Sequence, residues 1–278
     1  MDNGDLMKVL AKKPHIFEED DKYWKSPDLM EMNLSIELDE SNNLGSRGIK
    51  FATNSVNWLD KLLNENCTKK SVLDLGCGTG IITREFYKAG YEVIGVDISS
   101  KAIAYAKKNT EEINYINSDY FTLNINNTFD IIYLGYCTLG MYGPKKRFEL
   151  LRKCYEYLND GGVLVLDVFS QYKFANFCEY KIWDIDISDD MWTKSPYLHF
   201  LNFIIYKEDN TYLDRHIIYN ENEIKCYNRW NHTFSIQELT DSLRNNGFAE
   251  IQIYNDICGG PYKKGGDTIC AVAYKYLV

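Results

Sequence analysis

Residues 71–80 read Ser-Val-Leu-Asp-Leu-Gly-Cys-Gly-Thr-Gly. A short apolar run ends in Asp74, glycines follow at 76, 78 and 80, and an amphipathic stretch runs from Ile81 to Lys88. The pattern predicts strand, glycine loop and helix. Glycine allows positive φ and close approach of a ligand to the backbone, and such a loop is where open α/β sheets bind nucleotide-like cofactors. The dinucleotide fingerprint requires a third glycine where this chain has Ile81. A P-loop requires a lysine that is absent here. What remains is D-x-G-x-G-x-G. Its acid would repel a pyrophosphate and suits a ligand carrying an amine and a cationic centre.

Outward from this loop the chain keeps alternating. Tyr91 to Ile98 reads as a second strand ending in Asp97, 17 residues after Gly80. That is close to the roughly 20-residue spacing of a carboxylate that binds ribose hydroxyls. Ile113 to Ser118 is a third strand, followed by Asp119 and Tyr120. Phe129 to Gly135 is a fourth, leading into Tyr136, and Val163 to Val168, after Gly161-Gly162, is a fifth. Helices are expected from Ser100 to Asn109 and from Lys145 to Leu158, the latter burying Phe148, Leu151, Tyr155 and Leu158. Such alternation implies a parallel sheet of βαβ units.

After Val168 the pattern breaks. Residues 170–190 are aromatic and acidic with no clear period. Leu198 to Tyr206, Tyr212 to Tyr219 and Ile224 to Trp230 then read as three strands separated by turns. Ser235, with Glu238 three residues on, caps a helix that ends at Asn245-Asn246-Gly247. Phe248 to Tyr254 and Thr268 to Tyr276 are two last strands, expected to pair antiparallel.

The motif from Val72 to Gly80, with Asp97 and Asp119 in order behind it, resembles class I S-adenosylmethionine-dependent methyltransferases. The likeness extends to Leu38-Asp39-Glu40 through Arg47, to Arg229-Trp230 through Phe234-Ser235, and to Gly260-Pro261-Tyr262 through Asp267-Thr268. Those segments look like a group of bacterial small-molecule methyltransferases. The resemblance implies an α/β, Rossmann-like seven-stranded sheet of order 3-2-1-4-5-7-6, last strand antiparallel, with a small antiparallel β insert. It divides the chain into an N-terminal arm (1–50), a cofactor-binding core (51–169), an insert over the substrate (170–233) and a C-terminal part of the core (234–278).

It also implies S-adenosylmethionine as cofactor, held by Asp74, Gly76, Cys77, Gly78, Asp97, Ile98, Asp119, Tyr120 and Leu134. Asp119 would meet the adenine amino group and Tyr120 would pack on its ring. Arg47 would pair with the cofactor carboxylate or an acidic substrate. Tyr136 is the candidate for the acceptor site, and no general base is assigned. The insert, the loop Cys258 to Tyr262 and the arm would wall the acceptor pocket.

Composition narrows the acceptor. The 278 residues carry 31 Lys and Arg against 40 Asp and Glu, a net charge of −9. That argues against a phosphate-backbone footprint. The place after the fourth strand reads Leu134-Gly135-Tyr136-Cys137, lacking both the D-P-P-Y-type motif of amino methylation and the Pro-Cys pair of cytosine methylation. No apolar leader and no 18-residue apolar run is evident, and eight cysteines lack a CxxC pair. The expectation is a cytoplasmic enzyme acting on a small molecule, without nucleic acid, membrane or metal. The alternatives are a non-catalytic cofactor-binding regulator and a methyltransferase of protein or nucleic acid.

Overall fold

A computed structural model describes residues 3–19, 22–39, 41, 44–63, 71–186, 192–193 and 195–276. Glu40 and residues 187–190, both part of the reading above, lie outside them. The arm carries helices α1 (Asn3–Ala11) and α2 (Pro27–Leu38). The core then runs α3 (Gly48–Leu63), β1 (Ser71–Leu75), α4 (Ile81–Lys88), β2 (Glu92–Asp97), α5 (Ser100–Asn109), β3 (Asn114–Asn117), β4 (Phe129–Leu134), α6 (Pro144–Tyr157) and β5 (Leu158–Ser170). The insert holds β6 (Tyr180–Asp186), β7 (Tyr197–Tyr206), β8 (Thr211–Tyr219) and β9 (Ile224–Phe234). Finally α7 (Ile236–Arg244), β10 (Glu250–Tyr254) and β11 (Thr268–Tyr274) return to the core.

Strands β1 to β5 are parallel, in the order β3-β2-β1-β4-β5. β11 joins β5 antiparallel and β10 completes that edge. The expected seven-stranded order is therefore present. Helices cover both faces, so its strands are apolar on both sides, as buried parallel strands must be. Along β1, Leu73 and Leu75 join Ile132, Leu134, Leu164 and Leu166 on the face under α6 and α7. Val72 joins Ile131, Tyr133, Val163 and Val165 on the other face, under α3 and α4. Local chemistry sets the helix starts. Ser99 Oγ accepts from the Ala102 amide at 3.2 Å, and Ser235 Oγ from the Glu238 amide at 3.0 Å. One expectation in α6 fails: Phe148 is exposed, and Leu150, Leu151 and Cys154 form the buried face.

The insert is larger than the three strands expected. β6 adds a fourth, and β9 runs past Trp230 to Phe234, where Thr233 and Phe234 pair parallel with Phe169 and Ser170 of β5. The meander is thus continuous with the main sheet. β6 escapes the sequence reading because it is an edge strand with Ile182, Trp183 and Ile185 all exposed, so no alternation marks it.

The arm wraps both faces of the insert. Trp230 Nε1 donates to the Glu18 carbonyl at 3.1 Å, and the Tyr206 hydroxyl to that of Pro14 at 2.6 Å, on one face. Tyr23, Leu29 and Met32 pack on the other, against Trp192, Tyr197, Ile218 and Tyr227. From there α2 reaches the carboxyl ends of the parallel strands.

Candidate active site

The loop after β1 has the predicted backbone. Gly76, Gly78 and Gly80 take φ of +80°, +52° and +77°. Gly76 borders open space, since a Cβ there would meet nothing within 4 Å. Gly78 N–H donates to Asp97 Oδ2 at 2.9 Å and Ser99 N–H to Oδ1 at 2.8 Å, fixing the Asp97 carboxylate at the end of β2 beside the loop. Burial pushes this carboxyl above its usual range, against the pull of those amides.

Asp74 is set below the loop, near the end of β1. It is 1% exposed, and the Thr83 hydroxyl donates to it at 2.5 Å, tying β1 to the first turn of α4. Burial raises it to about 7, helped by the charges of Asp97 and Glu37. Cys77 is likewise buried, packed with Ile103, Ala106 and Tyr115. Leu134 is wholly in the core, so the end of β4 presents Gly135 and the 42%-exposed Tyr136 instead. Ile98 is half-buried beside Asp97. Tyr120 is half-buried, and its hydroxyl meets that of Tyr142. Asp119 accepts from Lys25 Nζ of the arm at 2.8 Å and from Phe121 N–H at 2.9 Å; these hold its carboxyl below the usual range although burial opposes them.

Arg47, expected at the cofactor carboxylate or an acidic substrate, pairs inside the chain. Its guanidinium lies 2.5 Å from Asp167 Oδ2, while Asp167 Oδ1 accepts from the Cys137 amide at 2.9 Å. That amide belongs to a strained turn, with Tyr136 and Cys137 both left-handed at φ of 62° and 57°. The Arg47 guanidinium also sits 5.6 Å from the centre of the Tyr136 ring. Arm, β5 and the loop after β4 are therefore joined through one buried carboxylate. Asp167 was missed among the apolar residues of the fifth strand. Its signal was a charge in a strand buried on both faces, which must find a partner.

A second missed residue is Glu37. From the last turn of α2 its Oε1 accepts from both the Thr79 amide (2.7 Å) and the Thr79 hydroxyl (2.8 Å), within the glycine loop. Above this region lies the insert face carrying Asp214, His216 and Arg229 in register. The Arg229 guanidinium is 5.2 Å from the Tyr23 ring centre, and His199 Nε2 and His216 Nδ1 are 3.0 Å apart. Burial, with Arg229 and His199 adding to it, drops His216 to about 3, so its imidazole is neutral at pH 7.

Residues 72–162 match the family model described as "Methyltransferase domain". The chain is a class I S-adenosylmethionine-dependent methyltransferase. A Geobacillus sp. (strain WCH70) protein assigned as a methyltransferase is 26% identical over 251 residues, covering 78% of this chain and 97% of that relative. Among solved structures, the CcbJ methyltransferase from Streptomyces caelestis aligns with a TM-score of 0.63 at 15% identity, covering 81% of this chain and 90% of that one. The sugar N-methyltransferase KedS8 from Streptoalloteichus sp. ATCC 53650 aligns with a TM-score of 0.59 at 14% identity, covering 96% and 98%. At such identities the two structures show the fold. This methyltransferase uses S-adenosylmethionine as methyl donor. The local chemistry fits it: an open glycine turn, a carboxylate fixed at the end of β2, and acidic groups that favour a cation.

Proposed function

We propose that this methyltransferase acts on a small-molecule acceptor enclosed between the glycine loop and the insert. The observation that carries this reading is closure by the arm. Lys25 on Asp119, Glu37 on Thr79 and Arg47 on Asp167 join the arm to the loops after β3 and β1 and to β5 itself. A mouth strapped in this way suits a small molecule rather than a polymer lying across it. The net charge of −9 speaks against a nucleic acid. KedS8, which resembles this chain along nearly its whole length, is named a sugar N-methyltransferase, and a sugar-sized amine or hydroxyl would suit a wall of Tyr136 and Arg229.

In this reading Gly76, Gly78, Asp97 and Ile98 hold the methyl donor, with Asp119 and Tyr120 at its base and Asp74 acting through the local charge. When bound there, S-adenosylmethionine would supply an electrophilic methyl on its sulfonium to an acceptor lone pair, the electron pair of the S–CH3 bond staying on sulfur. The protein's own part is alignment, a large source of rate in such a displacement. The strained Tyr136–Cys137 turn, held by Asp167, presents the tyrosine ring, whose face can stabilise a cation by about 0.5–2 kcal/mol. Burial raises the Tyr136 hydroxyl to about 12, so it remains a neutral hydrogen-bond donor at pH 7.

The test is incubation with methyl-labelled S-adenosylmethionine and two pools, small amines, phenols and sugars in one, protein and RNA in the other. Label in the small-molecule pool is expected. Label confined to macromolecules would overturn the reading.

A further inference from the structure

Glu37 stands where helix chemistry disfavours it. The C-terminal turn of a helix carries partial negative charge and prefers bases, yet the last turn of α2 has no base and carries this acid next to its final residue, Leu38. The residue is nevertheless aimed with care. Gly45 lies so close to the turn that a Cβ there would come within 2.5 Å of Glu37 Cα, and Ser46 Oγ donates to the Glu37 carbonyl at 3.1 Å. At the other end, a Cβ on Gly78 would fall 2.3 Å from Glu37 Oε1. Glycine at 45 and at 78 is what lets this carboxylate reach the Thr79 amide.

The charges around it are unbalanced. Asp97 and Asp74 lie within electrostatic reach, while the nearby guanidinium of Arg84 donates to the Thr79 carbonyl at 2.6 Å. Burial raises the Glu37 carboxyl to about 7, opposed by the Thr79 hydrogen bonds and aided by Asp97. Buried carboxylates without a matching cation are costly, and a cationic ligand in the loop would relieve the cost.

We infer that Glu37 is a further cofactor-binding residue, whose carboxylate recognises the positive charge of the methyl donor and so distinguishes it from the thioether product that has lost that charge. The inference rests on the cofactor site being the glycine loop. It gives the arm a reason to close on the donor and to loosen after transfer, when the sulfonium has become a neutral sulfide.

The experiment is calorimetric titration of the full chain with S-adenosylmethionine and with S-adenosylhomocysteine at pH 8, for wild type, Glu37→Gln and Asp97→Ala. Wild type should prefer S-adenosylmethionine. Glu37→Gln should weaken it about tenfold while changing S-adenosylhomocysteine by less than about threefold. Equal losses for both ligands would make Glu37 a structural strut. Gains for both would make it a plug. Either result overturns the inference.

Asp97→Ala serves as the control: if it leaves both affinities unchanged, the site assignment itself is at fault. A second measurement follows the preference with pH in wild type and in Glu37→Gln. Between pH 8 and pH 6, protonation of Glu37 should lower the wild-type preference for S-adenosylmethionine. The sulfonium lowers the α-amino pKa of S-adenosylmethionine relative to that of S-adenosylhomocysteine, so the same pH series on Glu37→Gln supplies the baseline. The groups facing Glu37 are Asp74, Cys77 and Asp97 beside the loop, Arg84 on α4 and Tyr136 after β4. A preference with the same pH dependence in wild type and Glu37→Gln would contradict the inference.

Discussion

At the scale of single residues, the Arg47–Asp167 pair is a costly arrangement to disturb. Asp167 is wholly buried, and removing one partner of a buried pair leaves an uncompensated charge. Arg47→Ala is expected to lower unfolding stability by about 3–5 kcal/mol in urea titration. The double variant with Asp167→Ala should cost clearly less than the two single losses together, because the pair is coupled. Glu37 and Asp74 make a prediction of opposite character. Both carboxyls stand near 7 in the fold, against ordinary values of 4.5 and 3.8. The folded chain therefore binds their protons more tightly than the unfolded chain. Their contribution to ligand-free stability is greatest below pH 4 and is lost as pH rises to about 7. Urea midpoints between pH 5 and pH 8 should fall with rising pH, and Glu37→Gln should flatten that slope; a slope unchanged by the substitution would contradict the shared charge of Glu37, Asp74 and Asp97. Legibility varied at this scale. The positive-φ glycines at 76, 78 and 80 followed from spacing alone. The partners of Asp74 and Arg47 did not, because Thr83 and Asp167 are brought to them only by folding.

At the scale of elements, the βαβ units were readable because their periods are strong and their caps local. Ser99, Ser235 and the glycines each act within a few residues. The insert was half-readable. Its three inner strands have a face packed on the arm or on neighbouring strands, and β6 has none. The arm was the least readable element, since α2 is positioned by contacts with distant segments, among them Lys101 of α5, whose ammonium meets Glu31 at 3.0 Å. Its approach to the glycine loop turns on Gly45. Gly45→Ala should force α2 away from the loop. Hydrogen exchange over residues 23–39 should then quicken and affinity for S-adenosylmethionine fall, with exchange in β1, β4 and β5 unchanged. Exchange in α2 as slow as in wild type would show that the turn at 44–46 does not set its position.

At the scale of the whole molecule, an acidic chain folds an open α/β sheet, extends it into an antiparallel roof and straps both with its own N-terminal segment. No helix among the described residues is long and apolar enough to cross a membrane. A ligand that binds only this folded arrangement must stabilise it. S-adenosylmethionine at a hundred times its dissociation constant should add about 2.7 kcal/mol, seen as a raised melting temperature. The central claim is that the methyl donor sits on the loop from Asp74 to Gly80 with its ribose on Asp97. Calorimetric titration of S-adenosylmethionine into wild type and Asp97→Ala tests it most directly. Saturable binding to one site, weakened by about 1.5–3 kcal/mol in the variant, is the result predicted. Absence of binding at millimolar ligand, or an affinity unchanged by Asp97→Ala, would contradict it.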